Sequence, residues 1–227
     1  ICNSEHNSEK EREYIEMLEA NQVDGIISGS HNLGIDDYNR VTAPIIAFDR
    51  NLSPEIPVVS SDNYAGGVLA AETLAKTGSQ NIIMITGNDN SNSPTGLRHA
   101  GFASVLPDAP IINVSSDFSP IRKEMEIKQI LTHQKPDAIF ASDDLTAILI
   151  MKVAKELELQ IPQDLKVIGY DGTQFIENYT PELTTIQQPL KDIAILMVDL
   201  LLQKIEGKKV TTTGYFLPVS LHSGKSV

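Results

Sequence analysis

A carboxylate stands directly after an apolar run in the last third of this sequence, where it could contact a ligand. The run LKVIGY at 165–170 is typical of a short buried strand, and Asp171 and Gly172 follow it. In open α/β sheets, ligands bind in the crevice beyond the carboxyl ends of the strands, so Asp171 is a candidate ligand contact. Asp-Gly is also common turn chemistry, and a purely structural turn is the alternative.

Acids also follow other apolar runs of the chain. Asp49 comes after PIIAF, Asp62 after PVVSS and Asp143 after AIFAS. Segments with helical spacing of apolar residues separate these runs, so strands and helices alternate. Strands that are apolar throughout are typical of parallel sheets covered by helices on both faces. The sequence therefore predicts an α/β fold with polar side chains at the strand ends.

The strand–helix unit begins twice along the chain, which predicts two lobes whose polar strand ends face a shared cleft. Two local predictions accompany it. The run IINVSS at 111–116 is expected to form a strand that ends in Asp117 and Phe118, and the first residues, ICN, are expected to end an earlier strand.

Composition excludes several classes of function. The net charge is −12 and no long block of Lys or Arg occurs, so this chain alone is expected not to bind DNA. The single cysteine, Cys2, fits a reducing cytosol. No apolar run approaches the roughly 20 residues of a membrane span. We therefore expect a cytoplasmic protein without membrane contact.

Catalytic and metal-binding patterns are missing from the sequence. It contains no GxSxG elbow, no Walker loop and no GxGxxG motif, and its five histidines show no paired spacing of the HExxH kind. We expect no catalytic residue, no metal and no cofactor, and hence a protein that is not an enzyme.

A set of short motifs resembles one protein family in order along the chain. The motifs are VDGII at 23–27, Asp62-Asn63 with Gly66 and Gly67, RHAGF at 98–102, FASDD at 140–144, GYDGT at 169–173, LTTIQQP at 183–189 and LPVSL at 217–221. With them the sequence resembles the effector-binding part of the lac repressor family of bacterial transcription regulators, and its wording is most similar to repressors of sucrose operons.

The resemblance implies a two-lobed fold like that of periplasmic binding proteins. Each lobe would be a mostly parallel sheet flanked by helices, with several chain crossings between the lobes. The first lobe would comprise residues 1–60 and 189–217, and the second residues 61–188 and 218–227. The helix-turn-helix DNA-binding domain, with the first strand and helix of the first lobe, would lie outside this chain.

The resemblance also implies a binding site for a sugar or a sugar phosphate. A carboxylate or a guanidinium group can form two hydrogen bonds to two neighbouring hydroxyls of a sugar, and an aromatic ring can cover the apolar face of the sugar. Each of three residues also has a simpler alternative role. Arg98 could be a surface arginine, Phe118 a core residue and Asp143 a helix cap. The implied ligand-binding residues are Ser28, Asp49, Arg98, Phe118, Asp143, Asp171 and Gln188.

The helix that begins near Asp144 is apolar on more than one face, which predicts burial on two sides. By resemblance, second lobes pair there, so we expect a homodimer with Leu145, Ile148, Leu149 and Tyr179 at its interface.

Two functions fit these observations. The first is the effector-binding and dimerisation core of a sugar-responsive repressor of a carbohydrate-utilisation operon, with sucrose as the candidate sugar. The sugar would shift the arrangement of the lobes, and so control operator binding by the missing N-terminal domain. The alternative is the solute-binding protein of a sugar transporter, which shares the architecture. Whether the sugar induces or co-represses stays open.

Overall fold

The chain divides into two compact units, each built from separate segments. Unit 1 comprises Ile1–Ser61 and Pro189–Leu217, and unit 2 comprises Asp62–Gln188 and Pro218–Val227. The computed structural model describes residues 1–5, 7–29, 35–87 and 93–227.

Helices and strands alternate through most of the described chain. In order they are α1 (Ser8–Ala20), β1 (Ile26–Ser28), α2 (Ile35–Asn39), β2 (Ile45–Phe48), β3 (Val58–Ser61), α3 (Asn63–Ala75), β4 (Ile82–Thr86), α4 (Pro94–Val105), β5 (Ile111–Asn113), α5 (Pro120–His133), β6 (Ala138–Ala141), α6 (Asp144–Glu156), β7 (Lys166–Asp171), α7 (Gln174–Tyr179), β8 (Thr184–Gln187), α8 (Leu190–Ile205), β9 (Gly214–Leu217) and β10 (Ser220–His222).

Unit 1 contains a parallel sheet whose described strands lie in the order β1-β2-β3-β9. Tyr38 of α2 and Ile45 of β2 belong to an apolar cluster. Ile193 and Leu200 of α8 belong to a second cluster, which includes residues of β2 and β3. Apolar side chains of the strands are therefore buried against helices, as the continuous apolar runs predict.

Unit 2 contains a sheet in the order β10-β8-β7-β6-β4-β5. Its described pairs are parallel, except that β10 runs antiparallel to β8. Strands β4 and β6 are buried throughout. Ile127 of α5 and Ile150 of α6 lie in one core cluster, whereas Leu74 of α3 and Phe102 of α4 lie in another. The predicted α/β class, with mostly parallel sheets flanked by helices, is confirmed.

Helices α3 and α4 cross closely because glycines stand at the contact. A Cβ atom on Gly67 would overlap the carbonyl oxygen of Arg98, and one on Gly101 would overlap that of Tyr64. The side chain of Ser93 caps α4. These contacts hold the helix segment that carries Arg98.

Two local predictions are wrong. Strand β5 ends at Asn113, not at Asp117 and Phe118, because Ser115 turns the chain: its carbonyl accepts from Phe118 N at 3.2 Å and its Oγ from Asp117 N at 3.2 Å. Such local side-chain bonds compete with strand pairing. The first three residues form no strand either. In the described sheet, β1 is an edge strand that pairs only with β2.

One element was not predicted, the short helix α7 after β7. Thr173 caps it, accepting from Ile176 N at 3.4 Å. None of the helices in the described ranges is long and apolar enough to cross a membrane.

Candidate functional site

Arg98 is a buried cation in unit 2, and three polar partners hold its guanidinium. Its side chain is 7% exposed. Nε donates to Oδ1 of Asn63 at 2.8 Å, and Nη1 donates to the carbonyl oxygen of Ser142 at 2.6 Å. Nη2 lies 3.7 Å from Oδ1 of Asp171. Arg98 is therefore not a surface arginine, and that alternative is wrong. Its polar partners compensate for the burial of its charge.

The ring of Tyr170 supports the same guanidinium. The central carbon of Arg98 lies 3.6 Å from the ring centre, a cation–π contact. Gly66 of α3 leaves room for the ring, since a Cβ there would lie 2.6 Å from Tyr170 Cε2. Helices α3 and α4 and strand β7 thus fix the direction of Arg98 before any ligand arrives.

Asp171 is the last residue of β7, as its position after the apolar run predicts. Its Oδ1 accepts from Gln188 Nε2 at 2.7 Å, and its carbonyl accepts from Gln188 N at 3.0 Å. Its φ is 120°, a value that favours glycine. The side chain is 35% exposed. Arg98, Asp171 and Gln188, three of the predicted ligand residues, therefore lie together, and solvent reaches the carboxylate.

Asp144 lies beneath this group and was missed as a site residue, although it stands in the FASDD motif. It is 2% exposed. Oδ1 accepts from Thr185 Oγ1 at 2.6 Å and Oδ2 from Gly172 N at 2.8 Å. Burial raises the pKa of Asp144 to about 6, against the lowering effect of these two hydrogen bonds, and the nearby charges of Asp171 and Asp143 add to the rise.

Asp143 caps helix α6, which was the alternative to a ligand contact. Its Oδ1 accepts from Thr146 N at 2.8 Å and its Oδ2 from Thr146 Oγ1 at 2.8 Å. It follows Ser142, whose carbonyl binds Arg98. The cap holds Asp143 next to the Arg98 group, and its contact with a ligand stays a prediction.

Phe118 is half-buried and packs against the apolar cluster that contains Ile127. The guanidinium carbon of Arg122 lies 3.5 Å from its ring centre. Core packing, the alternative for this residue, thus accounts for part of its surface, and stacking on a sugar stays a prediction.

Unit 1 carries the other two predicted ligand residues, Ser28 at the end of β1 and Asp49 directly after β2. Asp49 has a φ of 64°, and its Oδ1 accepts from Ser60 Oγ at 2.7 Å. Its N–H donates to Val59 O at 2.9 Å. Asp49 therefore stands at a strand end, like Asp171, and is oriented by a neighbouring strand.

Ser28 belongs to a different polar group within unit 1. Its side chain is hydrogen-bonded to Tyr38, whose hydroxyl donates to Oε1 of the buried Glu11. Burial, followed by the bond to Glu11, raises the pKa of Tyr38 above its usual range. The three residues line a cavity of about 490 Å³ next to α1 and β1.

Comparison with known proteins identifies the family. A family model described as a periplasmic binding protein-like domain matches residues 71–227. The chain is 66% identical, over all of its 227 residues and 71% of the relative, to the sucrose operon repressor of Streptococcus mutans. The chain belongs to the lac repressor family.

Solved structures of the lac repressor family share the fold. A periplasmic binding protein/LacI transcriptional regulator of Alkaliphilus metalliredigens, complexed with D-xylulofuranose, has a TM-score of 0.88 at 31% identity, and the match covers 100% of this chain and 86% of that one. The lac repressor dimer bound to operator and an anti-inducer has a TM-score of 0.79 at 26% identity, with 96% and 79% covered. The predicted resemblance is thereby confirmed.

This lac repressor family member exposes large apolar side chains on unit 2. Leu145 at the start of α6 is 72% exposed and Tyr179 at the end of α7 is 74% exposed. The ring of Phe175 lies 4.7 Å from that of Tyr179, centre to centre. Ile148 and Leu149 are half-buried against the core instead. Of the four predicted interface residues, Leu145 and Tyr179 are therefore the most available to a partner.

Within the described parts of this lac repressor family chain, no three His, Cys, Asp or Glu side chains are grouped so as to hold a metal ion. The Arg98 group can bind a polar ligand reversibly, since it combines fixed donors with a partly exposed carboxylate.

Proposed function

We propose that this chain is the sugar-binding and dimerisation core of a repressor that controls a sucrose-utilisation operon. The identity of 66% with a sucrose operon repressor over the whole chain supports the operon, and favours a repressor over the solute-binding protein of a transporter. A repressor of this family acts in the cytoplasm.

The observation that carries sugar binding is the Arg98–Asp171–Gln188 group. A carboxylate has about four acceptor sites, so Asp171 can accept from sugar hydroxyls in addition to Gln188. Arg98 is oriented in advance by Asn63 and Ser142, which lowers the entropy lost on binding. A sugar or a sugar phosphate meets this chemistry, and the relative that binds D-xylulofuranose adds support.

The sugar acts by preferring one of two conformational states. It can shift their equilibrium only by its difference in affinity, and coupling of about 1–3 kcal/mol is typical. Operator DNA is bound through a domain outside these residues, in keeping with a chain that covers 71% of its relative and carries a net charge of −12. Unit 2 provides the dimer contact through Leu145, Tyr179 and the adjoining Ile148 and Leu149.

Calorimetry on this chain tests the proposal. Sucrose, fructose and their phosphates are titrated at pH 7.5, and galactose serves as a control sugar. We expect one of the four to bind and to raise the melting temperature, because a ligand that binds only the folded state stabilises it. If none of them binds, the sucrose-operon proposal is wrong.

A further inference from the structure

In the turn after β7, the backbone N–H and the carbonyl oxygen of Gly172 are both hydrogen-bonded to side chains. Gly172 donates its N–H to Oδ2 of Asp144 at 2.8 Å and accepts at its carbonyl from Gln187 Nε2 at 3.3 Å. The preceding residue is Asp171, with its φ of 120°. The turn therefore depends on these partners to keep Asp171 in a backbone conformation that is unfavourable for it.

Asp144 links three elements beneath that turn. It starts α6, binds Gly172 after β7, and accepts from Thr185 of β8 at 2.6 Å. Glycine at position 169 makes space for it, since a Cβ there would overlap Asp144 Oδ1. Burying a carboxylate is unfavourable unless hydrogen bonds compensate for the lost water, and for Asp144 they come from Gly172 and Thr185.

We propose that Asp144 is a positioning residue for sugar binding, whose carboxylate holds the Gly172 peptide and so keeps the Asp171 carboxylate oriented towards the sugar. This inference rests on the proposed function, because it gives Asp144 a role only if Asp171 binds the sugar. Asp144 itself is buried and acts through Gly172.

The proposal implies that sugar affinity depends on pH. Hydrogen bonds to an ionised acceptor are about twice as strong as neutral ones, so a protonated Asp144 holds Gly172 less firmly. The charges that act on it are those of Asp143, the N-cap of its own helix, and Asp171 on β7, which has Arg98 beside it. Burial raises its pKa to about 6. Affinity is therefore highest above pH 6 and falls as the pH drops through that value.

Calorimetric titration between pH 5 and 8 tests this, with whichever of sucrose, fructose and their phosphates binds the parent at pH 7.5. A phosphate itself ionises at about pH 6, so for a phosphate ligand each profile is read as the ratio of its affinity to that of Asp144→Asn. For the parent, we expect the affinity for the sugar that binds to fall about three- to tenfold on acidification, the difference between a charged and a neutral hydrogen bond. Asp144→Asn keeps the volume but never ionises. It should bind about three- to tenfold more weakly than the parent at pH 7.5, with an affinity independent of pH across Asp144's range.

Thr185 provides a readout that a purely structural role would not change. Its hydrogen bond lowers the pKa of Asp144, so Thr185→Val should move the midpoint of the affinity profile to higher pH. Thr185→Ser restores the hydroxyl and should restore the parent midpoint. The Thr185→Val and Thr185→Ser variants also test the role of Asp144 if Asp144→Asn does not fold.

His222 is the control for another titrating group near the turn. Its Nδ1 lies 3.7 Å from Oε1 of Glu177, which accepts from Gln187. The proposal requires that His222→Gln keep the parent profile.

The possible failures are distinguishable. A flat profile in His222→Gln, or an Asp144→Asn variant that binds sugar like the parent at every pH, overturns the role of Asp144 and leaves the proposed function standing. A midpoint that Thr185→Val does not move also overturns it. A parent protein that binds neither sucrose, fructose nor their phosphates refutes the proposed function, and the role of Asp144 with it.

Discussion

Replacing Asp171 by alanine removes the one partly exposed carboxylate of the Arg98 group, and we expect it to weaken sugar binding strongly. Hydrogen bonds to a charged group contribute about 1.5–3 kcal/mol, so the loss in affinity should be about 10- to 100-fold. Asp171→Asn should do nearly as much harm, because the amide offers a donor where the second oxygen accepted. Both variants should fold.

Stability separates the role of the side chain from that of the backbone. Asp171→Ala leaves the buried Arg98 without its carboxylate and keeps a φ of 120° that alanine also disfavours. Asp171→Gly loses the same carboxylate but relieves the strain, which is worth about 1–3 kcal/mol. Glycine also lowers the free energy of unfolding by about 0.5–1 kcal/mol relative to alanine, because the unfolded chain has more conformational entropy. The glycine variant should therefore be more stable than the alanine variant by up to about 2.5 kcal/mol, or up to about 10 °C in melting temperature.

Calorimetry with sucrose, fructose and their phosphates measures the affinities, and scanning fluorimetry measures the melting temperatures. Asp108→Ala removes an exposed acid from another turn of unit 2 and is the matched control. We expect it to bind sugar like the parent. Unchanged affinity in Asp171→Ala and Asp171→Asn would refute the reasoning and return Asp171 to the role of a turn residue. A glycine variant less stable than the alanine variant would refute the strain argument alone.

Three further predictions concern the rest of the chain. Arg98→Lys should weaken sugar binding by about tenfold or more in calorimetry, because an ammonium group cannot reach Asn63, Ser142 and Asp171 together; parent-like affinity would contradict this. Light scattering at micromolar concentration should give the mass of a dimer, and Leu145→Asp should reduce it to about half. Met17→Asp, at an exposed apolar residue of unit 1, is the control and should keep the dimer mass. A parent mass near 24.8 kDa would exclude the dimer. A gel shift with the isolated chain at near-physiological salt should show no operator complex, since its net charge is −12.

The α/β class, the family and the position of Asp171 could all be predicted from the amino-acid sequence. Each depends on local order along the chain: continuous apolar runs indicate buried parallel strands, and an acid directly after such a run must lie at a strand end. The segments that depended on local hydrogen bonds, such as the turn at Ser115, were not visible in the apolar pattern.

The surroundings of Arg98 and Asp144 come from segments that are distant in the sequence and meet through folding. Asn63 and Ser142 lie 35 and 44 residues from Arg98 in the sequence, and Thr185 lies 41 residues from Asp144. The order of the strands and the glycine contact between α3 and α4 bring these residues together, and composition and spacing do not encode that order. Burial follows from the same packing, so a buried carboxylate with a raised pKa at Asp144 could not be distinguished in the sequence from a helix cap.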